Sequence, residues 1–469
     1  MSYFKQLPHE NTGSCFFIPF FYTDICIIII TMGGENMNKR KIIASFILSA
    51  VCASTVNFAS TKTVSAATAR LGGQDRYETS TKISQNGWTT SDYVVLASGQ
   101  GYADALCAAP IASKNSAPIL LTPSNNLDQN VKSEITRLKA THVIEIGGTG
   151  SISMNVENEL KSMGLSVQRL GGADRYETSV KVAKELGTPN KIVVTSGQGY
   201  ADALSIAPIA AKQGMEILLT SDTGIPDTVK DYIQDNQSSI VDTYVIGGTA
   251  VIPDSTTGDL SNPIRISGAD RYETNVNVLD YFKSSIDMNN VYIAKGGGTA
   301  DNEFADALSA SALAAKTNAP VVLTEDDIKD STQKFIEDNV DASANIVAVG
   351  GQASVSDYLL ERMELTVIVK AADSRLQAIA DATSDSNEKD AIEQIIDNLN
   401  NSISTKLDNA DEALSNFESN MEKTQQILQK LSDVERTHLQ NQINADQTLM
   451  QYLNQLNQIA EKYFPADTE

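Results

Sequence analysis

Three pairs of arginines stand at fixed spacing around small residues and an aspartate. Arg70 and Arg76 flank Gly72-Gly73 and Asp75, Arg169 and Arg175 flank Gly171-Gly172 and Asp174, and Arg265 and Arg271 flank Ser267-Gly268 and Asp270. A planar guanidinium meets phosphate or carboxylate in bidentate fashion. Paired glycines let the backbone come close, and a helix that starts at the aspartate offers amides to an anion. Such a set can capture an anionic group without covalent chemistry. The same residues also have a plainer use. Asp75, Asp174 and Asp270 each open an Asp-x-x-Glu pattern, which helix capping alone accounts for, so a structural role comes ahead of ligand contact. Asp104, Asp202 and Asp306 read in the same way, as caps of Ala-rich helices.

Other chemistries find less to work with. Cys15, Cys26 and Cys52 fall in the N-terminal leader, which leaves Cys107 alone in the apolar run Ala105-Leu106-Cys107-Ala108-Ala109. A lone cysteine forms no internal disulfide, and no CxxC spacing points to a metal. Without a histidine to help form its thiolate, it reads as a buried small residue rather than a nucleophile. A catalytic zinc needs histidine and carboxylate ligands. His142, at a strand start, and His438, on a polar helix, do not make that set. No DxD follows a strand to hold magnesium. We therefore expect no catalytic residue, metal or cofactor. The formal net charge of -23 argues against nucleic acid, which selects clustered Lys and Arg. An anionic partner must be gripped by local cations against that field.

The elements that position the arginines recur at intervals of just under about 100 residues, a domain-sized period. Arg70 to Thr79 returns as Arg169 to Thr178 and as Arg265 to Thr274. Ser98 to Leu106 matches Ser196 to Leu204; the third copy has Lys295 to Gly298, an insertion at Thr299 to Glu303, then Phe304 to Leu308. Ile146-Gly147-Gly148-Thr149, Ile246-Gly247-Gly248-Thr249 and Val349-Gly350-Gly351-Gln352 close each copy. In the second copy the runs Lys191–Thr195, Glu216–Thr220 and Tyr244–Ile246 predict strands. Helical patterns lie between them: one running to Leu186, an Ala-rich one from Tyr200 to Lys212, and an amphipathic one from Asp227 to Asn236. Short apolar runs alternating with helices indicate parallel sheets covered on both faces. The fold class is α/β, with three parallel-sheet domains.

Met37 opens a basic stretch, an apolar stretch from Ile42 to Ala53 and a small-x-small site near Ala66, the plan of a secretory signal peptide over 37–66. Residues 1–36 read as an over-extended start; the alternative is a membrane segment over Cys15 to Thr31, marginal in length for a span. No later stretch is expected to hold the mature chain in a membrane, and no LPxTG signal follows. Between Gly351 and Pro465 there is neither Gly nor Pro. Three-four apolar spacing predicts long helices there, broken by the capping box Ser432-x-x-Glu435, with a second helix to Phe464 and a shorter one from Asp373 to Ala382. A helical hairpin or bundle is expected, with a coiled-coil oligomer as competitor.

Taken together, the R-L-G-G-x-D-R-Y-E-T, S-G-x-x-x-A-D-A-L, I-L-L-T and I-G-G-T blocks resemble the clostridial type-two cell-wall-binding repeats, over roughly residues 68–364. The resemblance implies a Toprim-like domain at 68–166, 167–262 and 263–369, set around a pseudo-threefold axis; the helical module read from its own spacing follows at 370–469. It implies non-covalent binding to an anionic cell-wall polysaccharide, with other surface-layer proteins as further partners and a secreted, wall or S-layer location. It also points to Ile119, Leu120, Leu121 and Ile217, Leu218, Leu219 as polymer-binding, alongside the six arginines. The residues themselves favour buried strands at those two segments. The third copy departs through Ser267, the insertion and Val321-Val322-Leu323, which leaves two competent sites or one shared set. The expected function is a wall anchor that displays the helical module. The alternative is a wall-modifying enzyme with an active site in the helical region.

Overall fold

The computed structural model describes residues 68–298, 303–404 and 410–463. Residues 1–36, the signal peptide at 37–66, three of the four cysteines, residues 299–302 of the insertion and Leu407 lie outside the described residues. The chain divides into two compact units that meet in sequence at Arg375 and Leu376.

In the first unit the first repeat contributes β1 (Thr68–Leu71), α1 (Arg76–Gly87), β2 (Tyr93–Ser98), α2 (Ala108–Lys114), β3 (Ile119–Thr122), α3 (Gln129–Leu138), β4 (His142–Ile146) and α4 (Met154–Ser162). The second contributes β5 (Ser166–Leu170), α5 (Arg175–Leu186), β6 (Lys191–Ser196), α6 (Ala201–Gln213), β7 (Glu216–Thr220), α7 (Asp227–Asp235) and β8 (Asp242–Ile246). The third contributes β9 (Pro263–Ile266), α8 (Arg271–Phe282), β10 (Asn290–Lys295), α9 (Ala305–Thr317), β11 (Val321–Thr324), α10 (Asp330–Asn339) and β12 (Asn345–Val349), and runs into α11 (Asp357–Ala382). Elements read from the second copy agree to within two residues at each end.

All pairings in the three four-stranded sheets are parallel. Both faces of the inner strands are covered, so Val94, Val95, Leu96 and Ala97 are all fully buried rather than alternating. The expectation of three α/β units holds, with one difference. The sheet orders are β3-β2-β4-β5, β7-β6-β8-β9 and β11-β10-β12-β1, so each sheet takes its last strand from another repeat. Strands β5 and β9 come from the next repeat along the chain, whereas β1 returns to the last, with Thr68 opposite Ile346 and Leu71 opposite Val349. The Ala-rich helices α2, α6 and α9 pack pairwise on one another.

The opposite edge of each sheet is closed by a side chain. The amides of Leu121, Leu219 and Leu323 donate to Ser80 Oγ at 3.1 Å, Ser179 Oγ at 3.2 Å and Asn275 Oδ1 at 2.9 Å. A polar residue five places into α1, α5 and α8 thus blunts a sheet edge that would otherwise template pairing.

The second unit holds the end of α11 and then α12 (Ser386–Ser404), α13 (Ala410–Lys430), α14 (Asp433–Ala445) and α15 (Gln447–Tyr463). Helices α12 and α13 pack as a hairpin, with Asn398 Nδ2 2.9 Å from Thr424 Oγ1. The Ser432–Glu435 capping box is present. Three expectations are corrected. The stretch before Ser432, expected as one long helix whose partner in the hairpin follows the capping box, is instead the two helices α12 and α13 packed on each other. The short helix from Asp373 to Ala382 is the tail of α11, because no helix breaker separates it from the buried Leu359, Met363, Val367 and Val369 upstream. The helix expected from Ser432 to Phe464 breaks at Asp446, whose Oδ1 accepts the amide of Leu449 at 3.0 Å and so caps α15.

Candidate anion-binding site

Each loop from the strand arginine to the aspartate, Arg-x-Gly-Gly in two copies and Arg-x-Ser-Gly in the third, leaves a strand and enters a helix, and several of its amides are already taken. Asp75 Oδ1 accepts from the amides of Tyr77 and Glu78, at 2.9 and 2.8 Å. Glu78 Oε2 accepts from the amide of Gln74 at 2.8 Å, and Thr79 Oγ1 from that of Gly73 at 3.0 Å. Glu177 and Glu273 reach back in the same way to Ala173 and Ala269, and Thr178 and Thr274 to Gly172 and Gly268. The glutamate therefore serves the residue before the cap rather than the cap itself. Of the helix amides that the sequence offered to an anion, the aspartate takes two in α1 and α8 and one in α5.

The second glycine is required by this folding-back. A Cβ on Gly172 would lie 2.5 Å from Glu177 Cβ and 2.7 Å from the amide nitrogen of Thr178. Gly172→Ala is expected to destabilise the first unit by about 1–3 kcal/mol, the range for overpacking, as read by urea unfolding. A loss below about 0.5 kcal/mol, the scatter of neutral substitutions, would contradict the tight loop.

The six arginines fall into two sets. The strand arginines brace the glycine loops. Arg70, Arg169 and Arg265 each donate through Nη1 to the carbonyl of Gly350, Gly147 and Gly247, at 3.0, 3.0 and 2.7 Å. Each also reaches a carboxylate. Arg70 lies 2.7 Å from Asp357, Arg265 lies 3.0 Å from Asp254, and Arg169 lies 2.8 Å from Glu157 and 2.6 Å from the fully buried Glu145. The Glu145 contact is an ion pair without hydrogen-bond alignment. Burial pushes the Glu145 carboxyl up to about 7; the Arg169 charge opposes this and neighbouring Glu157 reinforces it.

The helix arginines are placed differently. Arg76, Arg175 and Arg271 donate to the carbonyls of Gly99, Gly197 and Gly296, which follow β2, β6 and β10. Each also lies over an aromatic ring of another repeat: Arg76 Cζ is 5.5 Å from Phe304, Arg175 is 6.0 Å from Tyr102 and Arg271 is 5.5 Å from Tyr200. Among the described residues, Arg175 and Arg271 meet no carboxylate at ion-pair distance. All three are half-buried.

The remaining signature blocks meet beside them. In each sheet the order reverses between its first two inner strands, β2 and β4 in the first copy. Ligands of open α/β sheets favour the carboxyl-end crevice at such a point. There Asp104, Asp202 and Asp306 lie under Gly147, Gly247 and Gly350, whose positive φ values of 112°, 123° and 112° bend the loop over them. Ser151 Oγ donates to Asp104 Oδ2 at 2.5 Å. Burial raises Asp202 and Asp306 to about 6, against the charges of Arg271 and Arg76 and, for Asp306, a hydrogen bond from Ser354. None of the three aspartates caps a helix with its side chain.

Ile119, Leu120, Leu121 and Ile217, Leu218, Leu219 are buried, at most 2% exposed, in strands β3 and β7. Cys107 is buried with its thiol pushed far up by that burial, and its Sγ lies 3.2 Å from the Asp104 carbonyl. His142 stacks on Tyr93 at 4.5 Å, and His438 Nδ1 lies 2.9 Å from Glu388 in the second unit. Among the described residues no His, Cys, Asp or Glu group could hold a metal ion, and no helix is long and apolar enough to cross a membrane. Sequence reasoning missed Tyr102, Tyr200 and Phe304. The signal was present, since all three occupy the place before Ala-Asp-Ala-Leu in their copies.

The model of cell wall binding domain 2 matches residues 70–157, 169–257 and 265–360. Over 300 residues the chain is 34% identical to the N-acetylmuramoyl-L-alanine amidase LytC of Bacillus subtilis, covering 64% of this chain and 58% of that protein. It is also 34% identical to the amidase enhancer of Bacillus subtilis over 274 residues, 58% of this chain and 36% of that protein. The solved structure of Cwp6 from Clostridium difficile superposes with a TM-score of 0.59 at 30% identity, covering 67% of this chain and 50% of Cwp6. Cwp8 from the same organism gives 0.59 at 26% identity, covering 64% and 51%. The chain thus spans between 36% and 58% of the length of these relatives.

Proposed function

The chain belongs to the family of cell wall binding domain 2, and from that premise we propose that the first unit anchors a secreted protein non-covalently to an anionic wall polysaccharide. The observation that carries this reading is the division of labour among the arginines. Arg70, Arg169 and Arg265 are spent on carboxylates and glycine carbonyls. Arg175 and Arg271, by contrast, keep charge at the carboxyl edge of the sheets with no carboxylate at ion-pair distance among the described residues; Arg175 has a carbonyl and the ring of Tyr102, and Arg271 a carbonyl, the ring of Tyr200 and its hydroxyl at 3.4 Å. A guanidinium has five donors, and a carbonyl of its own repeat takes one of them. Polymer contact falls to Arg175 and Arg271. The strand arginines and the buried Ile-Leu-Leu strands hold the edge in shape without touching sugar.

On this reading the second unit is displayed from the wall as a spacer or as a surface for other surface-layer proteins. The charge of the whole chain makes local grip necessary, because a body at -23 is repelled by an anionic polymer at long range. Binding should therefore strengthen with moderate salt before weakening, as screening first removes the general repulsion. The test is co-sedimentation of residues 62–375 with purified wall from which proteins have been stripped, measured from low to high salt. Retention of that unit is the expected result. Retention of residues 376–469 alone, with none by the first unit, would refute the proposal.

A further inference from the structure

We infer that an aromatic platform at the amino ends of β6 and β8 takes an uncharged sugar ring of the wall glycan, apart from the arginines at the opposite end of the sheets. The inference rests on the anchoring reading above and adds a second contact to it. Tyr281, in the last turn of α8, is 51% exposed, and Val241, just before β8, is 57% exposed. They are the barest large apolar side chains among the described residues of the first unit. Two buried rings hold Tyr281 edge-on: the centroid of Phe282 is 4.9 Å away at 68°, and that of Tyr244 is 6.0 Å away at 71°. Tyr244 and Phe282 lie 5.1 Å apart at 65°. The ring is thus fixed in place while half of it meets solvent. Its hydroxyl has no hydrogen-bond partner among the described residues.

The fold does not ask for this ring. The same place in α1 and α5 holds Asn86 and Glu185, and the place of Tyr244 in β4 and β12 holds Ile144 and Val347. Glu185 accepts instead from Gln168 Nε2 of β5, at 3.0 Å. The aromatic trio therefore marks one sheet end of the three. Charges beside it cancel. Lys191 Nζ lies 3.7 Å from Asp242 Oδ2, and Lys283 Nζ lies 2.8 Å from Asp280 Oδ1. Asn262 Nδ2 donates to Asp242 Oδ1 at 2.6 Å. Lys191 Nζ and the Tyr281 centroid each stand 6.0 Å from the centroid of Tyr244, so the ion pair and the bare ring share that neighbour. A pyranose matches this arrangement. Its C–H face, slightly positive, settles on the negative face of an aromatic ring, and its hydroxyls exchange hydrogen bonds with an ammonium and a carboxylate. A rigid tyrosine binds it at low entropic cost. Cancelled charge gives no preference for an anion, in contrast to Arg175 and Arg271. Two bare side chains also make a patch far smaller than the roughly 800 Å² that a standard protein interface takes from each partner, which favours a sugar over a second protein.

The test is isothermal titration of the full chain with fragments of purified Gram-positive wall glycan, either acidic as released or dephosphorylated and carboxyl-reduced so that no acidic group remains. The wild type should bind both, the uncharged fragments more weakly. Tyr281→Ala should lose about tenfold in affinity for the acidic fragments and all measurable affinity for the uncharged ones. Tyr281→Trp, which keeps a ring, should retain both. Tyr281→Glu, which installs the side chain of the second copy, should behave as Tyr281→Ala does and covers the case in which alanine disturbs α8. The losses from Tyr281→Ala and Arg175→Ala should multiply in the double variant, since the two ends of the sheets share no contact. Emission of the buried Trp88, which is 4% exposed, checks that each variant is folded. A wild type that binds acidic fragments but no uncharged ones would overturn the inference, as would unchanged affinity in Tyr281→Ala. A wild type that elutes as a dimer, with Tyr281→Ala a monomer, would give the platform to a second copy and overturn it too. Failure to bind either kind of fragment would sink the anchoring reading itself, an outcome distinct from those.

Discussion

A chain from which residues 68–71 are deleted will unfold at a lower temperature, and the emission of Trp88 will shift to the red. The reason lies in the third sheet, whose outer strand is β1 although β1 precedes the rest of that sheet by more than two hundred residues. Deletion bares β12 along four register positions. Lost ladder bonds at about 0.5–1.5 kcal/mol each put the cost at roughly 2–5 kcal/mol. Arg70 disappears as well, and with it the brace on the Gly350 carbonyl and the contact with Asp357. For a unit of this size the midpoint should fall by roughly 4–10 °C. Trp88 reports locally because its indole donates to the Ser116 carbonyl at 2.7 Å and carries Lys316 of the third repeat over its ring at 5.1 Å. An unchanged midpoint with unshifted emission would mean that the ring is not closed by this strand.

The second large effect concerns a brace rather than a strand. Arg169→Met should destabilise the first unit by about 3–5 kcal/mol at pH 8, the cost of breaking a buried pair from one side. Glu145 is fully buried in β4, directly opposite Arg169 in register, and would lose its cation at ion-pair distance, keeping only the weaker field of Lys161. The pH dependence has a definite sign. In the wild type, burial already raises Glu145 to about 7. Between its ordinary value and about 7 the folded chain thus holds more protons than the unfolded chain, and stability falls as pH rises through that window. Glu216 behaves alike: burial raises it to about 7, partly offset by a hydrogen bond from Tyr232. Loss of the guanidinium moves Glu145 further in the same direction. The gap between wild type and variant should therefore widen from pH 6 to pH 8 in urea unfolding. A gap that stays constant, or below about 1 kcal/mol, would show that Arg169 is not the counter-charge of a buried carboxylate.

Much of this architecture is legible in the sequence, for a definite reason. Repetition gives three readings of each block, so a β-branched run such as Lys191–Thr195 is fixed by its neighbours as well as by its own residues. Capping by Asp75, Asp174 and Asp270 is local chemistry and is equally legible. What stays hidden is long-range. An apolar run announces a strand but not its partner, so nothing in Thr68–Leu71 tells that it pairs with Asn345–Val349. The two sets of arginines also look alike in sequence. They differ in what lies across the fold: carboxylates for Arg169, the ring of Tyr102 for Arg175. The break at Asp446 was missed because an aspartate within a helical pattern is ordinary until its side chain accepts an amide.

The exchange of edge strands fixes the number of copies. A tandem array with free ends can grow by one unit at either end, because the last unit always exposes a seam for the next. Here the seam that would receive a fourth copy is already occupied by Thr68–Leu71. A duplicated repeat must either displace that strand or hang outside the body with an unfilled sheet edge of its own. Novelty is therefore channelled into substitutions and short insertions within a fixed trio, such as Ser267, Phe304 and the residues after Gly298.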